Sequence, residues 1–368
     1  MSDVFAIADD LGPDKVIHIH KAKVGLRAIL VVDNVAAGPA IGGVRMAPDV
    51  TLEECARLAR AMTLKNAAAG LPHGGGKSVI VADPAMPDAR KEELVRAFAR
   101  AIEPVGDYIV GPDMGTNERC MGWVHDEIGR AAGLPREIGG IPLDEIGATG
   151  FGVAIAAEVA EAFCNIRLDG ARVAVQGFGA VGYHAARFLV ERGARLVAAS
   201  DSRGCISDPG GLDIAALAAI KQQGGSVTEL GKGVVTQRDT VIETDCDILV
   251  PAARPDVINE GNAARVKARL MIEGANIPAT AGAERHLHQR GILVVPDFIA
   301  NAGGVICASV EYHGGSEPQA FSAIEEKIRR NTAEVLARAR SERTSPRDAA
   351  SALALERVRA AQSLRRFG

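Results

Sequence analysis

R-V-A-V-Q-G-F-G-A-V-G-Y-H-A-A-R-F-L, residues 172–189, reads as a strand, a glycine turn and a helix in that order. Gly177 supplies the tight turn, Gly179 lets the backbone approach a pyrophosphate, and Gly182 lets the helix pack on the strand. The helix opens at Ala180 and Val181, where unpaired N–H groups face an anion. The next strand, R-L-V-A-A-S, ends at Asp201, an acid placed to accept hydrogen bonds from an adenosine ribose. A lone G-x-G-x-x-G is a weak signal; the flanking strand, helix and acid together point to a dinucleotide site. Asp201 favours NAD, whereas Ser202 and Arg203 directly after it leave a 2′-phosphate, and so NADP, open.

Working outward, D-I-L-V-P (247–251), L-M-I-E-G (270–274) and I-L-V-V-P (292–296) are further strands separated by helices or loops. That alternation is the signature of a doubly wound parallel sheet. Upstream, V-I-H-I-H (16–20) and L-R-A-I-L-V-V (26–32) read as two strands joined by a turn at Gly25. Thr51 and Glu54 form a capping box, and Leu52, Cys55, Leu58, Ala59 and Met62 recur at helical spacing until Gly70. A strand at 78–82, a helix over 91–103 and a short strand at 108–110 follow, then the turn-rich loop G-P-D-M-G-T-N (111–117). Residues 139–147 read as a linker, Ala148 opens an Ala-rich helix, and from Ile324 the chain is mostly helical. The expected class is α/β with two domains. Residues 1–145 form an α/β domain for substrate, catalysis and oligomerisation, residues 146–305 a Rossmann domain, and residues 306–368 helices that pack back on the first.

With 368 residues, 47 % hydrophobic and 24 % charged, the chain can bury a large core. A net charge of −4 and the absence of a basic run argue against nucleic acid or a membrane surface as partner. Arg329, Arg330, Arg338 and Arg340 alternate with Glu and Ala, as on a solvated helix face. Six dispersed cysteines without C-x-x-C point to reduced thiols in a cytoplasm and to no metal site. Asp3, Asp9 and Asp10 at the start lead to the expectation of no signal peptide, and no stretch is apolar for long enough to span a membrane.

M-T-L-K-N-A-A-A-G-L-P-H-G-G-G-K (62–77) brings Lys65 and Lys77 to either side of a glycine cluster. A phosphate loop would need glycine where Leu71 stands, so that reading fails. The chemical alternative is that Gly74, Gly75 and Gly76 let backbone fold closely around a small ligand. Lys65 at a helix end then holds a carboxylate, and Lys77, desolvated or beside another cation, acts as a base of lowered pKa. Asp113, in a glycine- and proline-rich loop after a strand, is a candidate proton shuttle. Taken singly, any such Lys or Asp is more often a surface residue.

Taken together, these segments resemble the Glu/Leu/Phe/Val dehydrogenase family over nearly the whole chain. The matching stretches are G-P-A-I-G-G-V-R-M (38–46), residues 62–77, G-P-D-M-G-T (111–116), A-T-G-F-G-V (148–153), Q-G-F-G-A-V-G (176–182), E-G-A-N (273–276) and P-D-F-I-A-N-A-G-G-V (296–305). The resemblance implies that Gly42 and Gly43 line the substrate pocket and that Lys65 binds the α-carboxylate. It implies that Lys77 activates water and that Asp113 relays protons to and from the substrate nitrogen. Thr149 and Asn276 match nucleotide contacts, and Asn301 sits near nicotinamide and substrate amine. The implied reaction is reversible oxidative deamination of an L-amino acid by NAD(P) to a 2-oxo acid and ammonia. A cleft that closes by domain movement and a homo-oligomeric assembly are also implied.

Two positions bear on the substrate. Glutamate-type members resemble K-G-G where Ile41 precedes Gly42, and carry a serine where Ala308 stands. A side-chain carboxylate buried unpaired against Ile41 and Ala308 costs several kcal/mol, roughly 2–7 for a polar group alone. These pocket positions resemble leucine- and phenylalanine-type members and predict an apolar substrate side chain. Glutamate stays the alternative, because I-G-G-I-P-L-D-E-I-G-A-T-G-F-G-V (138–153) and the helical tail look glutamate-type. Two rivals are a hydroxy-acid dehydrogenase, for which His73 is the nearest candidate base, and a non-catalytic dinucleotide-binding protein. The second predicts loss of Lys77 or Asp113, and both are present.

Overall fold

A computed structural model describes residues 5–366; Asp3 lies outside the described residues. The chain divides into two compact units, each treated by itself. The first takes the residues up to Leu143 together with 305–320 and those from Ser351 on; the second takes Asp144–Gly304 and Phe321–Ala350.

The first unit is built on a five-stranded sheet in the order β1-β2-β4-β3-β5. Its strands are β1 (Lys15–Lys21), β2 (Leu26–Asn34), β3 (Ala40–Ala47), β4 (Gly74–Val81) and β5 (Tyr108–Pro112). β2 is antiparallel to both β1 and β4, while β3 is parallel to both β4 and β5. The alternation in L-R-A-I-L-V-V decides the layers. Leu26, Ala28, Leu30 and Val32 join Leu94, Val95, Phe98 and Ile102 of α2 (Asp88–Ile102) and Cys120, Met121 and Val124 of α3 (Glu118–Ile128). Val31 points the other way, to Cys55 and Ala59 of α1 (Leu52–Ala68). Each large apolar side chain so buried contributes about 1.5–3 kcal/mol.

Thr51 caps α1 by accepting from the Glu54 N–H at 3.2 Å, but the Glu54 carboxylate engages Arg45 at 2.6 Å and does not complete the expected box. The strand expected at 78–82 begins at Gly74, so the glycine cluster is strand and not a ligand cradle. A Cβ on Gly74 would lie 1.7 Å from the Asn34 carbonyl oxygen, and one on Gly75 2.0 Å from the Thr63 backbone nitrogen. These glycines let β4 lie against β2 and α1.

The second unit carries a seven-stranded sheet, β12-β11-β10-β6-β7-β8-β9. β6 (Arg172–Gln176), β7 (Arg195–Ser200), β10 (Ile248–Pro251), β11 (Leu270–Ile272) and β12 (Leu293–Val295) are parallel, as the sequence predicts. β8 (Cys205–Ser207) and β9 (Val234–Thr236) add an antiparallel edge that the reading of a purely parallel sheet lacked. Its helices are α4 (Leu143–Ile146), α5 (Ala148–Ala160), α6 (Ala180–Val190), α7 (Ile214–Gln222), α8 (Ala281–Gln289) and α9 (Asp297–Ala300). The C-terminal helices α10 (Gly303–Tyr312), α11 (Glu317–Glu342) and α12 (Pro346–Gln362) are shared between the units by residue, as given above. Residues 139–147, expected as a linker, include α4. No helix among the described residues is long and apolar enough to cross a membrane.

Candidate active site

In the first unit, β4 carries Lys77, β3 carries Arg45, and Asp113 follows the last residue of β5. Lys77 Nζ lies 2.7 Å from Asp113 Oδ2, with only 7 % of the lysine side chain and 21 % of the aspartate exposed. Lys77 is therefore buried, and its partner is a carboxylate rather than a second cation. Arg45 Nε reaches the same oxygen at 3.1 Å while its Nη1 holds Glu54. Burial alone would raise the Asp113 carboxyl, but the Lys77 ammonium and then the Arg45 guanidinium outweigh it and hold the pKa below the ordinary carboxylate value.

The loop that presents Asp113 is fixed locally. Thr116 Oγ1 donates to the Val44 carbonyl at 2.8 Å and accepts from the Asp113 N–H at 3.0 Å. Gly115 has φ +83°, and a Cβ there would meet the Met46 carbonyl oxygen at 2.2 Å, so only glycine fits. Gly43 packs under the site, because a Cβ would lie 2.8 Å from the Asp113 Cβ. Gly42 does the same beside β4, where a Cβ would lie 1.7 Å from the Gly76 carbonyl oxygen. Tyr108, fully buried, donates to the Gly42 carbonyl at 2.9 Å and pairs with Ser78 at 3.0 Å. Lys65 stands half-buried in the last turn of α1. Sequence reasoning missed Arg45 and Tyr108; Arg45 lies inside the quoted 38–46 segment, but its partners are distant in sequence.

Ile41 and Ala308, 3 % and 9 % exposed, belong to one small apolar cluster with Ile109 and Ala132, against which Tyr312 packs. Beside it, His73 Nδ1 faces the Pro39 carbonyl at 3.1 Å and Nε2 faces Ser309 Oγ at 3.0 Å. A carbonyl only accepts, so the neutral ring donates from Nδ1 and accepts the Ser309 hydroxyl at Nε2. His73 is thus paired with a serine and not with the carboxylate that a hydroxy-acid dehydrogenase reading requires.

In the second unit the Gly177 turn follows β6. Gly177 has φ +93°, and a Cβ on Gly182 would lie 1.9 Å from the Gly177 carbonyl oxygen, whereas one on Gly179 would meet nothing within 4 Å. Turn, close packing and open approach fall on the three glycines as the spacing predicts. Gly179 is the N-cap of α6 with no side-chain cap, which leaves the N-terminal N–H groups at Ala180 and Val181 for an anion. Asn301, 3 % exposed, donates from Nδ2 to the Gly274 and Ala275 carbonyls and to Asn276 Oδ1 at 3.0–3.3 Å. Its Oδ1 is buried without a partner, an acceptor suited to the carboxamide N–H of a nicotinamide. Thr149 lies in the first turn of α5 and Asn276 is exposed. These features fit a dinucleotide.

Asp201 departs from its expected role. Its carboxylate accepts from the Arg203 N–H, Ser226 Oγ, Lys221 Nζ and the Val227 N–H, all at 2.8–3.0 Å. About four lone-pair positions are all that a carboxylate offers. A ribose hydroxyl would have to displace one of these protein donors. Burial opposes its charge, but Lys221 and the other donors lower the pKa to about 2. Ser202 is exposed, and Arg203 is already paired with Glu229. Among the described residues no group of three or more His, Cys, Asp or Glu is arranged to hold a metal.

Residues 139–366 match the Glutamate/Leucine/Phenylalanine/Valine dehydrogenase family, and residues 13–130 match the Glu/Leu/Phe/Val dehydrogenase dimerisation domain. The chain is 41 % identical to a glutamate dehydrogenase of Aeropyrum pernix over 90 % of its own length and 85 % of that protein's. It is 40 % identical to an NADP(+)-dependent glutamate dehydrogenase of Pyrobaculum calidifontis, covering 89 % and 84 %. The hetero-hexameric glutamate dehydrogenase of Thermus thermophilus, in a leucine-bound form, superposes with a TM-score of 0.87 at 31 % identity, covering 97 % of this chain and 91 % of that one. The relatives' names include NAD-specific and NADP-dependent forms. They do not support the expected closeness to leucine- and phenylalanine-type members, since these relatives are named glutamate dehydrogenases. The chain belongs to the Glu/Leu/Phe/Val dehydrogenase family and is an NAD(P)-dependent amino acid dehydrogenase.

Proposed function

We propose that the chain catalyses reversible oxidative deamination of an L-amino acid with an apolar side chain, yielding a 2-oxo acid and ammonia. The observation that carries the chemistry is the buried Lys77–Asp113 pair. Lys65 holds the α-carboxylate as a point charge, while Gly42 and Gly43 serve the site indirectly, by letting β4 and the Asp113 loop pack closely on β3. Asp113, kept ionised by Lys77 and Arg45, takes a proton from the substrate ammonium, freeing the nitrogen lone pair. The nicotinamide supplies the acceptor for the hydride that leaves Cα. Water oriented by Lys77 then attacks the resulting substrate iminium carbon and loses one proton to solvent. As the carbinolamine collapses to the 2-oxo acid, its hydroxyl proton also leaves to solvent, and Asp113 returns to the departing ammonia the proton it took from the substrate. The 2.7 Å contact lets a proton move between Lys77 and Asp113. Thr149, the Gly177–Gly182 turn, Asn276 and Asn301 hold the dinucleotide.

The apolar specificity rests on Ile41 and Ala308 lying in one apolar cluster with Ile109 and Ala132. A second reading, glutamate, is favoured by the names of the relatives, and on substrate class those comparisons support it over an apolar amino acid. The deciding experiment is kcat/KM for L-leucine, L-valine, L-phenylalanine and L-glutamate, each with NAD and NADP. Preference for an apolar substrate supports the pocket argument; glutamate with the highest kcat/KM overturns it. The match of residues 13–130 to a dimerisation domain supports an oligomer, which we take to be a homo-oligomer; the mass of the purified chain in solution checks it. Six free cysteines support a reducing, cytoplasmic setting.

A further inference from the structure

Asn276 and Asn301 stand on two loops that follow neighbouring strands, β11 and β12. The spacing of the loops is set from beneath. Glu273 directly follows β11, and its Oε2 accepts the Asp297 N–H at 2.9 Å. Asp297 opens α9; its Oδ2 accepts the Ile277 N–H at 2.8 Å, and its carbonyl accepts the Asn301 N–H at 2.7 Å. One cation joins these acids. Arg347, in the first turn of α12, gives Nη2 to Glu273 at 2.7 Å and to Asp297 at 2.9 Å, and gives Nε to Glu284 of α8 at 2.6 Å. Its guanidinium also lies over Phe298, 5.6 Å from the ring centre. All of these residues belong to the second unit.

We propose that Arg347 is a positioning residue for the dinucleotide: by tying Glu273 to Asp297 it fixes the distance between the Asn276 and Asn301 loops and so the direction of the unpartnered Asn301 Oδ1. This rests on the reading of Asn276 and Asn301 as dinucleotide contacts. Arg347 itself acts through the two acids. The guanidinium fork matters, because it serves two carboxylates on one edge and a third through Nε, which a lysine point charge cannot reproduce.

The charge balance of the cluster gives the arrangement a pH signature. One guanidinium faces three carboxylates, and Glu273 is fully buried with Oε1 lacking any partner. Burial above all raises the Glu273 carboxyl well beyond the ordinary glutamate value; Arg347 opposes the rise, and Glu284 and Asp297 add to it. His288 of α8 lines the same small cavity as Glu284 and Arg347. Burial thus favours the neutral form of the Glu273 carboxyl, which brings a cluster of three acids and one guanidinium closer to balance. Loss of that carboxyl's proton as pH rises puts an uncompensated charge beneath the 273–276 loop and weakens dinucleotide binding.

The test is fluorescence titration of the full chain with the reduced dinucleotide it prefers, NADH or NADPH, across pH, with a melting curve for each variant. Arg347→Met is expected to raise Kd by about tenfold or more, and Arg347→Lys to recover only part of the loss. Glu273→Gln, neutral at every pH, is expected to lack the alkaline weakening seen in the wild type. Asn301→Ala and Asn276→Ala run in parallel. A folded Arg347→Met with wild-type Kd, while Asn301→Ala binds weakly, overturns the proposal and leaves the asparagine reading intact. Wild-type Kd in both asparagine variants overturns that reading and the proposal with it. If Arg347→Met does not fold, the Glu273→Gln profile decides, and an alkaline fall identical to the wild type refutes the proposal.

Discussion

Replacing Asp113 by Asn keeps the shape of the side chain and removes its charge. At 2.7 Å the attraction between Lys77 and Asp113 amounts to about 6 kcal/mol at an effective dielectric of about 20, before desolvation is subtracted. Breaking a buried pair by removing one partner costs roughly 3–5 kcal/mol. Asp113 retains 21 % exposure, and Arg45 retains Glu54, so the low end of that range applies to stability. The catalytic effect is separate. Loss of a positioned proton-transfer group lowers kcat by about 10²–10⁴. The assay is steady-state turnover at saturating dinucleotide, with a melting curve and a dinucleotide titration alongside. Because the Gly177 turn belongs to the other unit, Asp113→Asn is expected to bind dinucleotide like the wild type while kcat collapses. A folded Asp113→Asn with kcat within about threefold of the wild type would refute the proton-relay role.

The glycine turn makes a paired prediction. Gly179→Ala has room for its methyl and is expected to fold with weakened dinucleotide binding, whereas Gly182→Ala drives a Cβ against backbone and is expected to lower the melting temperature; equal stability in both sinks the reading. For Asp201 the sign follows from a folded-state pKa near 2, below the ordinary value of 3.8. Its stabilising effect is fully present above about pH 4 and fades as pH falls toward 2, so Asp201→Asn should be less stable at neutral pH and converge on the wild type in acid, as melting curves across pH would reveal.

Local rules made the second unit legible. In residues 172–189 the left-handed turn at Gly177 and the packing of Gly182 on the Gly177 carbonyl are local, so spacing alone gave turn, approach and packing, while the contact of Gly177 with Ala253 was not readable from it. β3 was hidden because A-I-G-G-V-R-M has little strand propensity; Gly42 and Gly43 are there because β4 and the Asp113 loop press against them. The helix α3 did carry its signals, an Asn117 cap accepting from Cys120 and a left-handed Gly129 at its end, but they adjoin a turn-rich loop that masks them. Arg45 and the saturated Asp201 were beyond sequence reasoning for a different reason. Their partners lie 9 and 68 residues away for Arg45, and 20–26 residues away for three of the four donors to Asp201, and no short-range pattern encodes such pairs.

Lys77 is where the account is most exposed. In a single-turnover reaction with a saturating L-amino acid and oxidised dinucleotide, the wild type should form reduced dinucleotide, ammonia and 2-oxo acid in equal amounts, and Lys77→Met should release ammonia and 2-oxo acid at least about 10²-fold more slowly. Reduced dinucleotide without matching ammonia in the wild type, or a Lys77→Met variant that releases ammonia as fast as the wild type, would contradict this role of Lys77.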